Sequence, residues 1–135
     1  MNLRTFLTVH SIVAGIYGLL FLLIPATLLA QYGAEPTAAM QFLVRLFGSA
    51  LLTFAAVLWL ARDTADSPAR RAIILGFFIG LATGLVVSLH GQLTGVMNAL
   101  GWTTVAVYAV FGAGYGYFHF SSKQETEIKG AIRGT

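Results

Sequence analysis

The chain has 135 residues, of which 57% are hydrophobic and 10% charged, with a formal net charge of +3 and a mean hydropathy of +0.79. An average soluble domain carries roughly 25% charged residues, so these figures exclude a water-soluble globule and call for lipid as the solvent. The absence of cysteine excludes disulfides, thiolate nucleophiles and Cys-ligated zinc or iron–sulfur centres, and the basic residues flank apolar runs without forming a continuous surface for nucleic acid.

A helix crossing the hydrocarbon core needs about 20 mostly apolar residues, and four such stretches follow one another. The first covers residues 5–24, preceded by Arg4 and ended by Pro25; no small-x-small cleavage pattern follows, so it reads as an uncleaved span. Residues 26–33 are too apolar for an ordinary loop and too short to cross, which suggests a helical turn lying along the interface. The second span covers 37–60, opening after Glu35-Pro36 and closing on Trp59 and Arg62. The third covers 68–90, with Ser67 as N-cap and Pro68 at the first helical position. The fourth covers 98–120 with Asn98 as N-cap, followed by a frayed polar tail over 121–135. The expected fold is all-α: one membrane domain over residues 1–135, an up-down four-helix bundle that divides into two helix pairs around Asp63–Pro68.

Short loops on the cytoplasmic side carry the excess of Lys and Arg. Arg4, Arg62, Arg70, Arg71, Lys123, Lys129 and Arg133 all fall on one side of the expected bundle, and the loops at 25–36 and 91–97 carry none. Both termini are therefore expected in the cytoplasm, in a bacterial inner membrane. Trp59, Tyr115 and Tyr117 are expected at the inner headgroup level, and Tyr32 and Trp102 at the outer one.

Helices in lipid meet where small residues let their backbones approach. Gly76, Gly80 and Gly84 form a stripe on the third span, Gly112 and Gly116 lie on the fourth, Ser11, Gly15 and Gly18 on the first, and Gly48, Ser49, Ala55 and Ala56 on the second. They predict either a tight bundle or a stripe facing a second copy, and Gly80→Leu is expected to disrupt either.

Arg45 is the only charge well inside a span, and a charge at membrane depth is a functional candidate. Helical spacing puts it on the face of Gly48, Ser49, Leu52, Ala56 and Trp59, roughly 25 Å from Arg62. His90 lies at a similar depth, about 28 Å from Arg71. Together with Gln41, Gln92 and Asn98 they form a candidate outer pocket for a carboxylate, a phosphate headgroup or a quinone oxygen; the plainer alternative has Arg45 snorkelling to the interface. His10 and His119 lie at similar depth near the inner face on the first and last helices, the arrangement of two axial haem ligands or of two ordinary interfacial histidines. No other metal site is expected. Phosphate loops, His-Glu-x-x-His, Gly-x-Ser-x-Gly and intramembrane Asp or Glu pairs are all missing, so no catalytic residue is assigned.

The run Pro25-Ala-Thr-Leu28 with Gly33, then Arg45-Leu-Phe-Gly48 and Trp59-Leu-Ala-Arg62, resembles the DoxX-like small bacterial four-helix membrane proteins over the first half of the chain. The resemblance implies a membrane partner of redox enzymes, in some cases linked to quinone. The expected function is a non-catalytic accessory or assembly subunit, with membrane lipid and protein subunits or further copies of itself as partners, that holds a lipid or quinone-like ligand near Arg45. No bound cofactor is predicted on this reading. Two competing readings are a small oligomeric transporter or channel for an anionic solute, and a redox subunit binding haem or quinone.

Overall fold

The computed structural model describes residues 2–133, with side chains described through Ser121. The chain is all-α: α1 (Leu3–Leu23), the short α2 (Pro25–Gln31), α3 (Ala38–Ala61), α4 (Pro68–Leu93) and α5 (Gly101–Arg133). Helices α1, α3 and α4 are each long and apolar enough to cross a membrane, the signature of a membrane protein. Helix α5 is not among them, because glycine and tyrosine at Tyr108, Gly112, Gly114, Tyr115, Gly116 and Tyr117 dilute its apolar stretch.

Side-chain caps open the three apolar helices. The Asn2 side chain accepts from Thr5 N–H at 2.8 Å, Thr37 Oγ1 from Met40 N–H at 3.2 Å, and Ser67 Oγ from Arg70 N–H at 3.2 Å. Each satisfies a donor that the first helical turn leaves without a partner. Pro25 and Pro68 start α2 and α4, where a missing N–H costs nothing. Asn98 caps the turn that leads into α5: its Oδ1 accepts from Leu100 N–H at 2.9 Å and its carbonyl from Gly101 N–H at 3.0 Å, and the α-helix itself begins at Gly101. At the other end, the segment expected to fray continues as helix to Arg133.

The four long helices form two antiparallel hairpins. In the first, Gly18 and Gly48 sit where α1 crosses α3: a Cβ on Gly18 would lie 3.0 Å from the Gly48 carbonyl, and one on Gly48 would lie 2.9 Å from the Gly18 carbonyl. Ser11 Oγ donates to Ala55 O across the same seam at 2.7 Å. In the second hairpin, Gly84 of α4 receives the Tyr108 ring, while Gly112 and Gly116 of α5 receive Leu81 and Phe78. Close approach at glycine raises dispersion attraction where lipid supplies no hydrophobic drive between helices.

The hairpins join at one end around Phe6, Leu7, Leu58, Ile74, Leu81, Phe111 and Tyr115. Phe6 packs edge-on to Tyr115 and presses on Gly114. Tyr115, expected at the headgroup level, is fully buried here, because its hydroxyl finds a partner inside, His10 Nδ1 at 2.9 Å. At the same end Arg4 and Arg62 pair with Asp63, Arg70 and Arg71 pair with Asp66, and Arg62 stacks on Trp59. At the opposite end Asn98 Nδ2 donates to Gln31 O at 2.7 Å and Tyr32 Oη lies 3.3 Å from Thr103 Oγ1. These two contacts tie the α2 segment to the start of α5. Tyr32 is therefore buried as well.

Candidate functional site

Between the two tied ends the hairpins separate. The backbones of α3 and α4, consecutive in sequence, do not pack closely; Phe54 and Phe77 bridge them edge to face with ring centroids 5.4 Å apart. The space left is a cavity of about 570 Å³ lined from all four long helices, within the roughly 300–1,000 Å³ typical of small-molecule sites. Helix α1 contributes His10, Ala14, Tyr17 and Phe21; α3 contributes Phe47, Thr53 and Phe54; α4 contributes Gly76, Phe77, Gly80 and Leu81; α5 contributes Thr104 and Tyr108. None of the described residues lining it carries a formal charge.

Gly76 and Gly80 were expected at a helix contact. Within the chain a Cβ on either would meet nothing within 4 Å. They form the exposed rim of the cavity, and the close packing of α4 falls to Gly84. The physical reason is pairing: α4 turns its Leu81 and Gly84 face to α5, so a stripe running on to Gly76 and Gly80 drifts toward the gap facing α3. Gly80→Leu is accordingly not expected to break the bundle of a single chain.

His10 carries the chemistry of the cavity floor. It is 7% exposed, stacked on Phe111 at 4.1 Å between ring centroids and edge-on to Phe77. Its Nδ1 is taken by Tyr115 Oη, for which it is the one side-chain partner among the described residues. A buried phenol hydroxyl is satisfied first through its proton. With Tyr115 donating to Nδ1, the neutral ring carries its hydrogen on Nε2. Of the two histidines considered together as axial ligands, His10 bonds through Nδ1 to Tyr115, one turn before His119, whose ring packs on Phe120.

Of the residues expected to form an outer pocket, Gln92 and Asn98 are brought together. Arg45 is exposed and makes no hydrogen bond or ion pair among the described residues; it does not point into the α1–α3 seam, where Gly48 and Leu52 meet Gly18. The His90 side chain is exposed, and its carbonyl accepts from Thr94 Oγ1 at 2.8 Å. Gln41 Nε2 donates to Pro36 O at 2.8 Å. Gln92 Nε2 donates to Asn98 O at 3.0 Å, and Asn98 reaches Gln31. Three of the five thus hold the loops together, and none lines the cavity. Sequence reasoning missed Tyr17, Thr53, Phe54, Phe77 and Tyr108 as lining residues; their common depth on separate helices was the available signal. Among the described residues no group of three His, Cys, Asp or Glu side chains is arranged to hold a metal ion.

The family model of a domain of unknown function, DUF8292, matches residues 8–131, so the chain belongs to the DUF8292 family. The match takes in all four long helices and the cavity between them. Comparison with curated proteins and with solved structures finds no match to either.

Proposed function

We propose that this protein is a non-catalytic accessory subunit of the bacterial inner membrane that holds an apolar or quinone-like molecule between its two helix hairpins. The observation that carries this reading is the uncharged cavity of about 570 Å³. Close packing is the rule in protein interiors, and helices in lipid associate largely through such packing. A gap of this size lined by aromatic and aliphatic side chains suits an apolar guest. The guest is moved from the surroundings of Arg45 to those of His10, because Arg45 is exposed and away from the gap.

In this proposal α5 is the fourth span, crossing with its stretch from Gly101 to Ser121, and both termini are cytoplasmic. The support is the gathering of Arg4, Arg62, Arg70 and Arg71 with Asp63 and Asp66 at one end of the bundle, as the excess of positive charge in cytoplasmic loops requires. Arg45 then lies toward the outer interface and snorkels there. Kinship with the DoxX-like proteins, on Arg45-Leu-Phe-Gly48 and Trp59-Leu-Ala-Arg62, belongs to the same reading.

Native mass spectrometry of the protein extracted in a mild detergent tests the proposal. The expected result is one tightly retained small apolar adduct in the wild type, lost in Gly80→Trp, which puts a ring at the cavity rim in space the chain leaves open. A wild-type protein free of adduct, or an adduct unaffected by Gly80→Trp, would contradict it.

A further inference from the structure

The way the cavity opens, and the polar groups among its lining, narrow the class of guest. This step rests on the cavity reading above and adds to it a route and a head group.

Behind His10 stands the aromatic cluster of Phe6, Phe111 and Tyr115, and the ties from Asn98 to Gln31 and from Tyr32 to Thr103 join the helices beyond the opposite end. The wall is deepest on α1, where His10 and Ala14 are buried. On the α3–α4 side the lining residues Phe47, Thr53, Phe54, Gly76 and Gly80 are exposed. The mouth therefore faces sideways, at the mid-length of α3 and α4, helices apolar enough to stand in hydrocarbon. Gly76 and Gly80, one helical turn apart, keep the rim low, since nothing stands within 4 Å of where their side chains would begin. A molecule using this mouth arrives from within the membrane, not from water.

Inside, the cavity extends along α1 from His10 to Phe21, about 16 Å at the α-helical rise. That shape suits one extended hydrocarbon chain. The lining offers no charge to pair with an ionised head, and burying an unpaired charge is costly. Beside hydroxyls such as those of Thr104 and Tyr108, which both donate and accept, it offers His10, whose Nε2 is a pure donor when Tyr115 gives its proton to Nδ1.

We propose that the occupant is an uncharged single-chain lipid ending in a hydroxyl or carbonyl, which enters sideways between α3 and α4 over Gly76 and Gly80 and accepts a hydrogen bond from His10. Its oxygen sits on the cavity floor and its chain runs back along α1 toward Phe21.

The test uses the full chain in lipid nanodiscs and three mid-chain diazirine probes: hexadecanol, hexadecane and hexadecanoate. Photolabelled positions are mapped by mass spectrometry. Wild type is expected to be labelled by hexadecanol on the cavity walls of α3 and α4, in preference to the other two probes. The double variant Gly76→Leu/Gly80→Leu is expected to lose that labelling while melting as wild type does. His10→Phe, close in shape to the stacked imidazole, is expected to weaken hexadecanol binding about fivefold, the worth of one buried hydrogen bond, with hexadecane labelling unchanged. His10→Gln, which keeps an N–H, is expected to recover part of the preference and guards against a folding defect in His10→Phe. Undiminished labelling in the double variant overturns the sideways route. Equal labelling by the alcohol and the alkane in wild type overturns the role of His10 while leaving the cavity reading intact. Absence of cavity labelling by any of the probes contradicts that reading and this proposal with it.

Discussion

The α1–α3 seam and the α3–α4 gap use the same residue type to opposite ends. At the seam, Gly18 and Gly48 meet backbone to backbone, and Ser11 hydrogen-bonds across the crossing. At the gap, Gly76 and Gly80 meet nothing, and the two helices touch through an aromatic bridge. A glycine in a membrane helix is thus a contact where a second helix stands over it and an opening where none does. The contrast teaches that partner geometry, not the stripe itself, decides which.

The contrast can be broken or sharpened in graded ways. The largest effect is expected at the end where the hairpins join: Leu58 is fully buried among residues of the core cluster, and Leu58→Ala should cost about 3 kcal/mol by leaving a cavity there, read as a lowered melting midpoint in detergent. Tyr115→Phe comes next. It leaves His10 Nδ1 without its partner and should cost about 2 kcal/mol, read in the same melt. Ser11→Ala removes the hydrogen bond that crosses the α1–α3 seam to Ala55, and about 0.6 kcal/mol is expected from interhelical bonds of this kind.

The smallest effect is expected at the charged end. Asp63 is held below the usual carboxylate range chiefly by its hydrogen bond from Arg62, with Arg4 and Arg62 charges adding to it, and Asp66 is lowered chiefly by the Arg71 hydrogen bond. A carboxylate with a lowered folded-state value stabilises above its unfolded value, and that contribution is lost as pH falls through the lowered one. The tie between Arg4 and Asp63 should hold from neutral pH down to about 4, the ordinary Asp value, and weaken only below it. Exposure and salt screening keep the effect slight. Melting followed from pH 7 to pH 3 should show the loss in wild type and a smaller one in Asp63→Asn, where Asp66 alone of the two still contributes it.

Much of the fold could be read from local chemistry. Thr37 and the Ser67-Pro68 pair mark helix starts without help from tertiary structure, and the apolar run after Pro25 forms α2. The division into two helix pairs around Asp63–Pro68 matches the two hairpins, because the break falls where polar residues interrupt the apolar pattern. Azimuth was harder to read than depth. Tyr115 and Tyr32 were expected as interfacial rings, yet each finds an internal partner, His10 and Thr103, on another helix. Arg45 shares a helical face with Gly48, but the α1 crossing covers Gly48 and leaves Arg45 exposed. Asn98 caps the start of the last helix through Oδ1, as its type suggests, but its second bond, from Nδ2 to Gln31 O, depends on a loop distant in sequence. The cavity is a property of four helices at once, and no single stretch announces it.

Paired melting of Gly48→Leu and Gly80→Leu in one detergent tests the central contrast most directly. The account predicts that Gly48→Leu forces α1 from α3 and lowers stability by about 3 kcal/mol, the upper part of the usual overpacking range. Gly80→Leu should melt at or above the wild-type midpoint, since it replaces a helical glycine by a better helix former in space that the chain leaves open. A fall in Gly80→Leu as large as that in Gly48→Leu would contradict it, because the gap between α3 and α4 would then be a packed contact.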